Sequence, residues 1–195
     1  PRARGGGLHP RGPRPGCARV SAVVLPPGAC TCVVRTFREG VLAAVGHDLS
    51  LDAPPQRVTI DVAARTLEAT FDPQSIRLRG AMVDGREDPS ALSSGARDKI
   101  RRNLLDTVLA AGKHPTITFQ GRWTLAGEGA PTLEGSLSLH GATQPLKAAA
   151  RIEGDHVVAE FVLRPSAWGI APFVALLGAL RVRDEVRVTA RLPVQ

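Results

Sequence analysis

TLEGSLSLHGATQPLKAAARIE, residues 132–153, changes character every second residue on both sides of one break. Leu133, Leu137 and Leu139 alternate with Thr132, Glu134, Ser136 and Ser138, and after His140-Gly141 the series resumes as Leu146, Ala148, Ala150 and Ile152 against Lys147, Arg151 and Glu153. A period of two residues is that of a strand with one dry and one wet face, and a glycine-bearing break between two such runs is a hairpin. The stretch therefore predicts two antiparallel strands joined at His140-Gly141.

The same period extends outward in both directions. Upstream, Ile117, Phe119, Trp123 and Leu125 share one parity and Thr116, Thr118, Gln120 and Arg122 the other; further back, Val58, Ile60 and Val62 alternate with Thr59 and Asp61. Downstream, Val157, Ala159, Phe161 and Leu163 oppose His156, Glu160 and Arg164, and Val186, Val188, Ala190 and Leu192 oppose Glu185, Arg187, Thr189 and Arg191. Gly127-Glu128-Gly129 and Glu153-Gly154-Asp155 stand between these runs as turn signals. About eight such strands close into an up-and-down antiparallel barrel. The inward parity carries Phe37, Phe71, Phe119, Trp123 and Phe161 among Val, Leu, Ile and Ala, while the small Ala148, Ala150, Ala159 and Ala190 leave room for a long apolar guest.

One segment departs from the strand period. Between Ser93 and Ala111, Ile100, Leu104, Leu105, Val108 and Leu109 recur at helical spacing beside Arg97, Lys99, Arg101 and Arg102, and Gly112 and Pro115 end the run. This predicts a single amphipathic helix with its apolar stripe on an open end of the barrel. Its cations are either its solvated face or a guide for a phosphate head group or a membrane surface, which makes Arg97, Arg101 and Arg102 head-group candidates.

Charge narrows the partners. The 195 residues hold 25 Lys+Arg and 18 Asp+Glu, a formal net charge of +7. Arg2, Arg4, Arg11, Arg14 and Arg19 fall in residues 1–19, where no acid stands, so setting those five aside leaves 20 basic groups against 18 acidic ones. Residues 1–19, rich in Pro, Gly and Arg, read as a disordered basic tail, and residues 20–195 as one barrel domain. Tyr is absent and aromatics make up 4% of the chain, too few stacking platforms for nucleic acid. No apolar run approaches the roughly 20 residues of a membrane helix; the longest candidates are Ser21 to Leu25 and Pro172 to Leu180. The chain starts at Pro1 with no signal core behind it, so a cytoplasmic location is expected if it is complete and a periplasmic or secreted one if a signal was removed.

Motifs for covalent chemistry are missing: there is no GxSxG, HExxH, Walker loop or post-strand GxGxxG. Cys17, Cys30 and Cys32 match no common zinc spacing, and Cys30 and Cys32 read as buried small apolar groups. In Gly46-His47-Asp48, strand parity sends His47 inward with Val45, Leu49 and Leu51 and Asp48 outward, so the pair cannot form a relay with each other. His47 is then a rim residue, a polar contact for a ligand, or the centre of a lipid-modifying or hydrolytic enzyme that uses an acid from elsewhere. A structural or interaction barrel with a solid core is a third alternative.

VGHDLSLDA (Val45 to Ala53), HPTITF (His114 to Phe119), LEGSLSLHGATQPLKA (Leu133 to Ala148) and AWGIAPF with the later LRVRDEVRV (Ala167 to Val188) together resemble the YceI-like family of polyisoprenoid-binding barrels. The resemblance implies a lipocalin-like barrel with a helical segment over one end and an elongated apolar cavity for a quinone or polyprenyl chain. It implies a carrier or sequestering protein without catalytic residues, metal or resident cofactor, whose ligand is a non-covalently held isoprenoid lipid. By position it implies a lining of Ile117, Phe119, Trp123, Leu137 and Leu146, with Trp168 and Phe173 at the mouth; His47, Leu49, Phe71 and Phe161 join them from strand parity. The partners this reading allows are an isoprenoid or other long-chain lipid, a transient membrane-surface contact and a homodimer, with nucleic acid excluded.

Overall fold

The computed structural model describes residues 22–40, 46–125 and 130–194, and among them the chain forms thirteen strands and one α-helix. The tail expected over residues 1–19, Cys17, Val45 and the Gly127-Glu128-Gly129 turn lie outside the described residues. Before the helix come β1 (Val23–Val24), β2 (Thr31–Glu39), β3 (Asp48–Asp52), β4 (Pro55–Asp61), β5 (Thr66–Phe71), β6 (Arg77–Val83) and β7 (Arg86–Asp88); the helix is α1 (Ser94–Arg102). After it come β8 (Ile117–Leu125), β9 (Pro131–Leu139), β10 (Ala142–Glu153), β11 (His156–Leu163), β12 (Val174–Ala175) and β13 (Leu180–Pro193).

All are antiparallel in one curled sheet of order β1-β4-β5-β8-β9-β10-β11-β13-β2-β3-β6-β7, with β12 added to β13. The hairpin read from residues 132–153 is β9–β10, with Leu139 opposite Ala142. His140 and Gly141 both take positive φ, 52° and 81°, as a two-residue turn matched to strand twist requires.

The strand count exceeds the expected eight for a physical reason. β1, β7 and β12 are two or three residues long, too short for a period to show, and β6 (RLRGAMV) breaks its alternation at Gly80. The chain is also not purely up-and-down. Between the neighbours β5 and β8 it leaves to build β6, β7 and α1, and β6 pairs with β3 at the far side of the sheet. Among the described residues the path ends at β1 and β7, so the architecture is an antiparallel, lipocalin-type half-barrel.

α1 begins where Ser93 caps the Ala96 amide at 3.3 Å. The helix expected to run to Ala111 changes form at Asn103: residues Asn103–Val108 are π-helical, with the Leu109 amide bonding back to Leu104 O at 2.9 Å. The wider turn directs Leu104, Val108 and Leu109 inward alongside Ile100, and Leu104 and Leu109 pack on Cys32, Leu51, Ala53, Ile76 and Val188. No helix among the described residues is long and apolar enough to cross a membrane.

A second core holds Leu25, Val58, Ile60, Ala69, Phe119, Leu137 and Trp168, and a third, small one is Ala148, Ala150 and Ala159. Strand ends overrun the cores: Ile152 and Val62, inward by parity, are 63% and 52% exposed.

Candidate functional site

The inner face of the sheet encloses a cavity of about 520 Å³, within the usual size range for small-molecule sites. The strands other than β1, β6 and β7 contribute to it, the long ones mainly by parity. β2 presents Cys32, Val34, Thr36 and Arg38; β3 presents Leu49 and Leu51; β8 gives Ile117 and Phe119, β9 gives Leu133, Leu137 and Leu139, and β13 gives Val186, Val188 and Ala190. Ile100, Asn103, Leu104, Val108 and Leu109 cover one side, and Ile170 to Phe173 with Leu180 form part of the rim.

Phe119 shows how the backbone shapes the wall. Gly121 and Gly135 face each other across β8 and β9, and the Phe119 ring lies on the bare backbone they leave. A Cβ on Gly135 would stand 2.6 Å from Gly121 Cα and 2.8 Å from Phe119 Cζ, so both positions require glycine for the ring to lie flat.

Polar groups gather at the ends. His47 is exposed and lines the rim, with Thr36, Arg38, Arg181 and Arg183 around the same end. Arg38 is held in place: its amide donates to Asp48 Oδ1 at 2.8 Å, its guanidinium donates to Gly46 O, and its Nε stands 3.8 Å from the Asp48 carboxylate. At the opposite end of β2 and β13 are Thr31 and Arg191, and Arg191 is paired with Glu153 at 3.2 Å. Between the two ends the wall is apolar almost throughout.

Cys30 and Cys32 are free thiols on that wall. Burial pushes the Cys30 thiol up, and burial with the Asp52 carboxylate nearby pushes Cys32 up to about 12. Since the thiolate is the reactive form, burial holds both in the less reactive thiol form. Iodoacetamide is expected to label neither in the native protein at pH 7 and both after unfolding, as read by peptide mass mapping.

Of the residues singled out from sequence, His47, Leu49, Phe71, Ile117, Phe119, Leu137, Leu146, Phe161 and Phe173 line this one cavity. Trp123 and Trp168 do not. Trp123 is half-buried against the Phe119 core, and Trp168, 4% exposed, donates its indole N–H to Leu137 O at 2.9 Å as a structural plug. The small inward residues divide likewise: Ala159 and Ala190 leave space in the cavity, whereas Ala148 and Ala150 are filled over by Leu133, Val157 and Phe161.

The helix cations are placed differently from expectation. Arg97 donates to Leu78 O at 2.8 Å and Pro89 O at 3.1 Å, and Arg101 to Ile76 O at 3.0 Å and Gln74 O at 3.2 Å. These two guanidiniums fasten α1 to the β6 region, Arg102 is exposed, and none of the three lines the cavity. The cations that do are Arg38, Arg181, Arg183 and Arg191, and Arg38 is visible in sequence only as the last member of the parity Cys30, Cys32, Val34, Thr36. The same parity corrects Phe37, which lies outside under the Arg187 guanidinium at 5.7 Å. Among the described residues His47 makes no side-chain hydrogen bond and no group of three metal-ligating side chains converges.

A family model described as a YceI-like domain matches residues 38–194. No curated protein matches the chain. Among solved structures, a polyisoprenoid binding domain from Saccharophagus degradans implicated in plant cell wall breakdown is 11% identical, with 86% of this chain and 94% of that one covered at a TM-score of 0.55. BcnA from Burkholderia cenocepacia is 15% identical over 83% and 94%, with a TM-score of 0.51. Both likenesses are of fold.

Proposed function

The chain belongs to the YceI-like domain family, and from that premise we propose that it binds and carries an amphiphilic isoprenoid lipid of quinone or polyprenyl type, without covalent chemistry of its own. The observation that carries this reading is the wall itself: an apolar cavity of about 520 Å³ whose polar groups stand at its ends. Such a cavity rewards a long chain without internal polar atoms, because every buried CH₂ contributes about 0.8 kcal/mol and no hydrogen bond has to be matched along its length. The head group is met at the rim by His47 and Arg38, both able to donate to a quinone carbonyl or a phosphate oxygen. The polyisoprenoid binding domain of the same fold supports the chain type.

Native mass spectrometry of the purified protein, followed by solvent extraction, tests the proposal. The expected result is a mass excess that is lost on denaturation and an extract carrying a polyprenyl compound. A protein that is empty and refuses added polyprenol or ubiquinone overturns it. Leu49→Arg supplies the control: Leu49 is a half-buried wall residue near the rim, so the new side chain can send its charge to solvent while its stem occupies the entrance. Loading is expected to fall by roughly tenfold or more, as a charge near an apolar guest must be desolvated, with the circular dichroism spectrum unchanged.

A further inference from the structure

The turn between β12 and β13 carries a leucine that the folded monomer does not use. Leu177 is fully exposed, at 108% of its reference area, and takes φ 55° and ψ 34°, the left-handed region that disfavours a leucine. Val174, on the same hairpin, is 45% exposed. The hairpin is fixed by Val174 opposite Arg181 and Ala175 opposite Leu180, and Arg181 in turn faces Glu39 on β2. Its base is the cavity rim, to which Phe173, Ala175 and Leu180 belong.

Cations stand at the base of this apolar tip and on the neighbouring helix. Arg181 and Arg183 are exposed at its base, and Lys99 and Arg102 are exposed on the helix whose continuation, at Thr107 and Val108, shares a cleft with Ile170 to Val174. None of the four is in an ion pair among the described residues. The acids nearby are Glu39, opposite Arg181; Asp184, which accepts from the Ser166 amide and hydroxyl; Glu185; and Asp98 and Asp106 on the helix.

We propose that this hairpin docks on an anionic lipid bilayer, Leu177 and Val174 entering the headgroup layer and the exposed Arg181 and Arg183 meeting lipid phosphates. An apolar point flanked by unpaired cations is the chemistry of an interfacial anchor. The position gives it a purpose that rests on the carrier reading: docking brings the cavity rim to the reservoir of an apolar chain, which then enters without crossing water.

The test is cosedimentation of the full chain with vesicles of phosphatidylcholine alone and of phosphatidylcholine with a quarter phosphatidylglycerol. The protein is expected to bind the anionic vesicles preferentially and to be released by salt. Leu177→Gly should weaken that binding at least tenfold while its melting temperature holds or rises, since glycine accepts the left-handed backbone. Its loading with polyprenol in detergent should be unchanged. Leu177→Trp should bind at least as well as the native protein. Equal vesicle binding by Leu177→Gly and native protein overturns the proposal, as does a native protein that stays in the supernatant. So does a native dimer that becomes monomeric in Leu177→Gly without vesicle binding, which would make the tip a contact between copies. A protein that loads polyprenol but ignores vesicles refutes docking alone; one that docks through Leu177 but never loads refutes the carrier reading alone.

Discussion

Phe119→Ala is expected to destabilise the protein by about 3–5 kcal/mol, the range for removing a buried aromatic ring. Phe119 is 6% exposed and lies in the core with Val58, Ile60, Ala69 and Leu137. The ring also covers the backbone of Gly121 and Gly135, and neither glycine has a side chain with which to fill the space. Collapse around the hole is therefore limited to the cavity side. Urea unfolding followed by far-ultraviolet circular dichroism measures the loss, and a value under about 1 kcal/mol would show that the ring does not support the wall. The reciprocal change, Gly135→Ala, should fail in the opposite sense, by pressing a methyl group into Gly121 and the ring.

Trp168 separates packing from hydrogen bonding. Trp168→Ala removes both the buried indole and its bond to Leu137 O and should cost about 3–5 kcal/mol. Trp168→Phe keeps most of the apolar area and loses the 2.9 Å bond, worth about 0.5–1.5 kcal/mol. Denaturant midpoints rank the two variants, and equal losses would sink the view that packing holds the plug. Trp123, the other tryptophan, is only half-buried, so Trp168→Phe should also shift the remaining fluorescence to the red.

Long strands with a regular period were legible in the chain alone. β8 to β11 and β13 each have enough residues for parity to be counted, and of the nine predicted side chains that share one cavity, all but Phe173 lie on an inward parity. Parity failed where the inner face meets water. In β2 the adjacent Val33 and Val34 give no decision, and the aromatic Phe37 suggests the wrong face. The rim end of the inner face tolerates Thr36 and Arg38 because solvent reaches it, and the outer Phe37 is sheltered by Arg187. The helix cations misled for a related reason. A basic residue on an amphipathic helix reads the same whether it meets a lipid phosphate or, as Arg97 and Arg101 do, the carbonyls of the neighbouring segment. Nor does a period of 3.6 distinguish an α-turn from the π-turn at Asn103.

The pairing of β2 with β13 also sets the order of events during synthesis. The first long strand has its neighbour in the last one, Cys32 lying opposite Ala190 and Val34 opposite Val188. Ladders between such distant segments form late, because the intervening loop must be closed first. β2 can pair locally with β3, but its other edge and the closed inner face must wait for β13. During that interval Cys30 and Cys32, sealed in the finished fold, behave as ordinary accessible thiols. Their window of vulnerability to oxidants belongs to the chain in which β13 has not yet paired with β2.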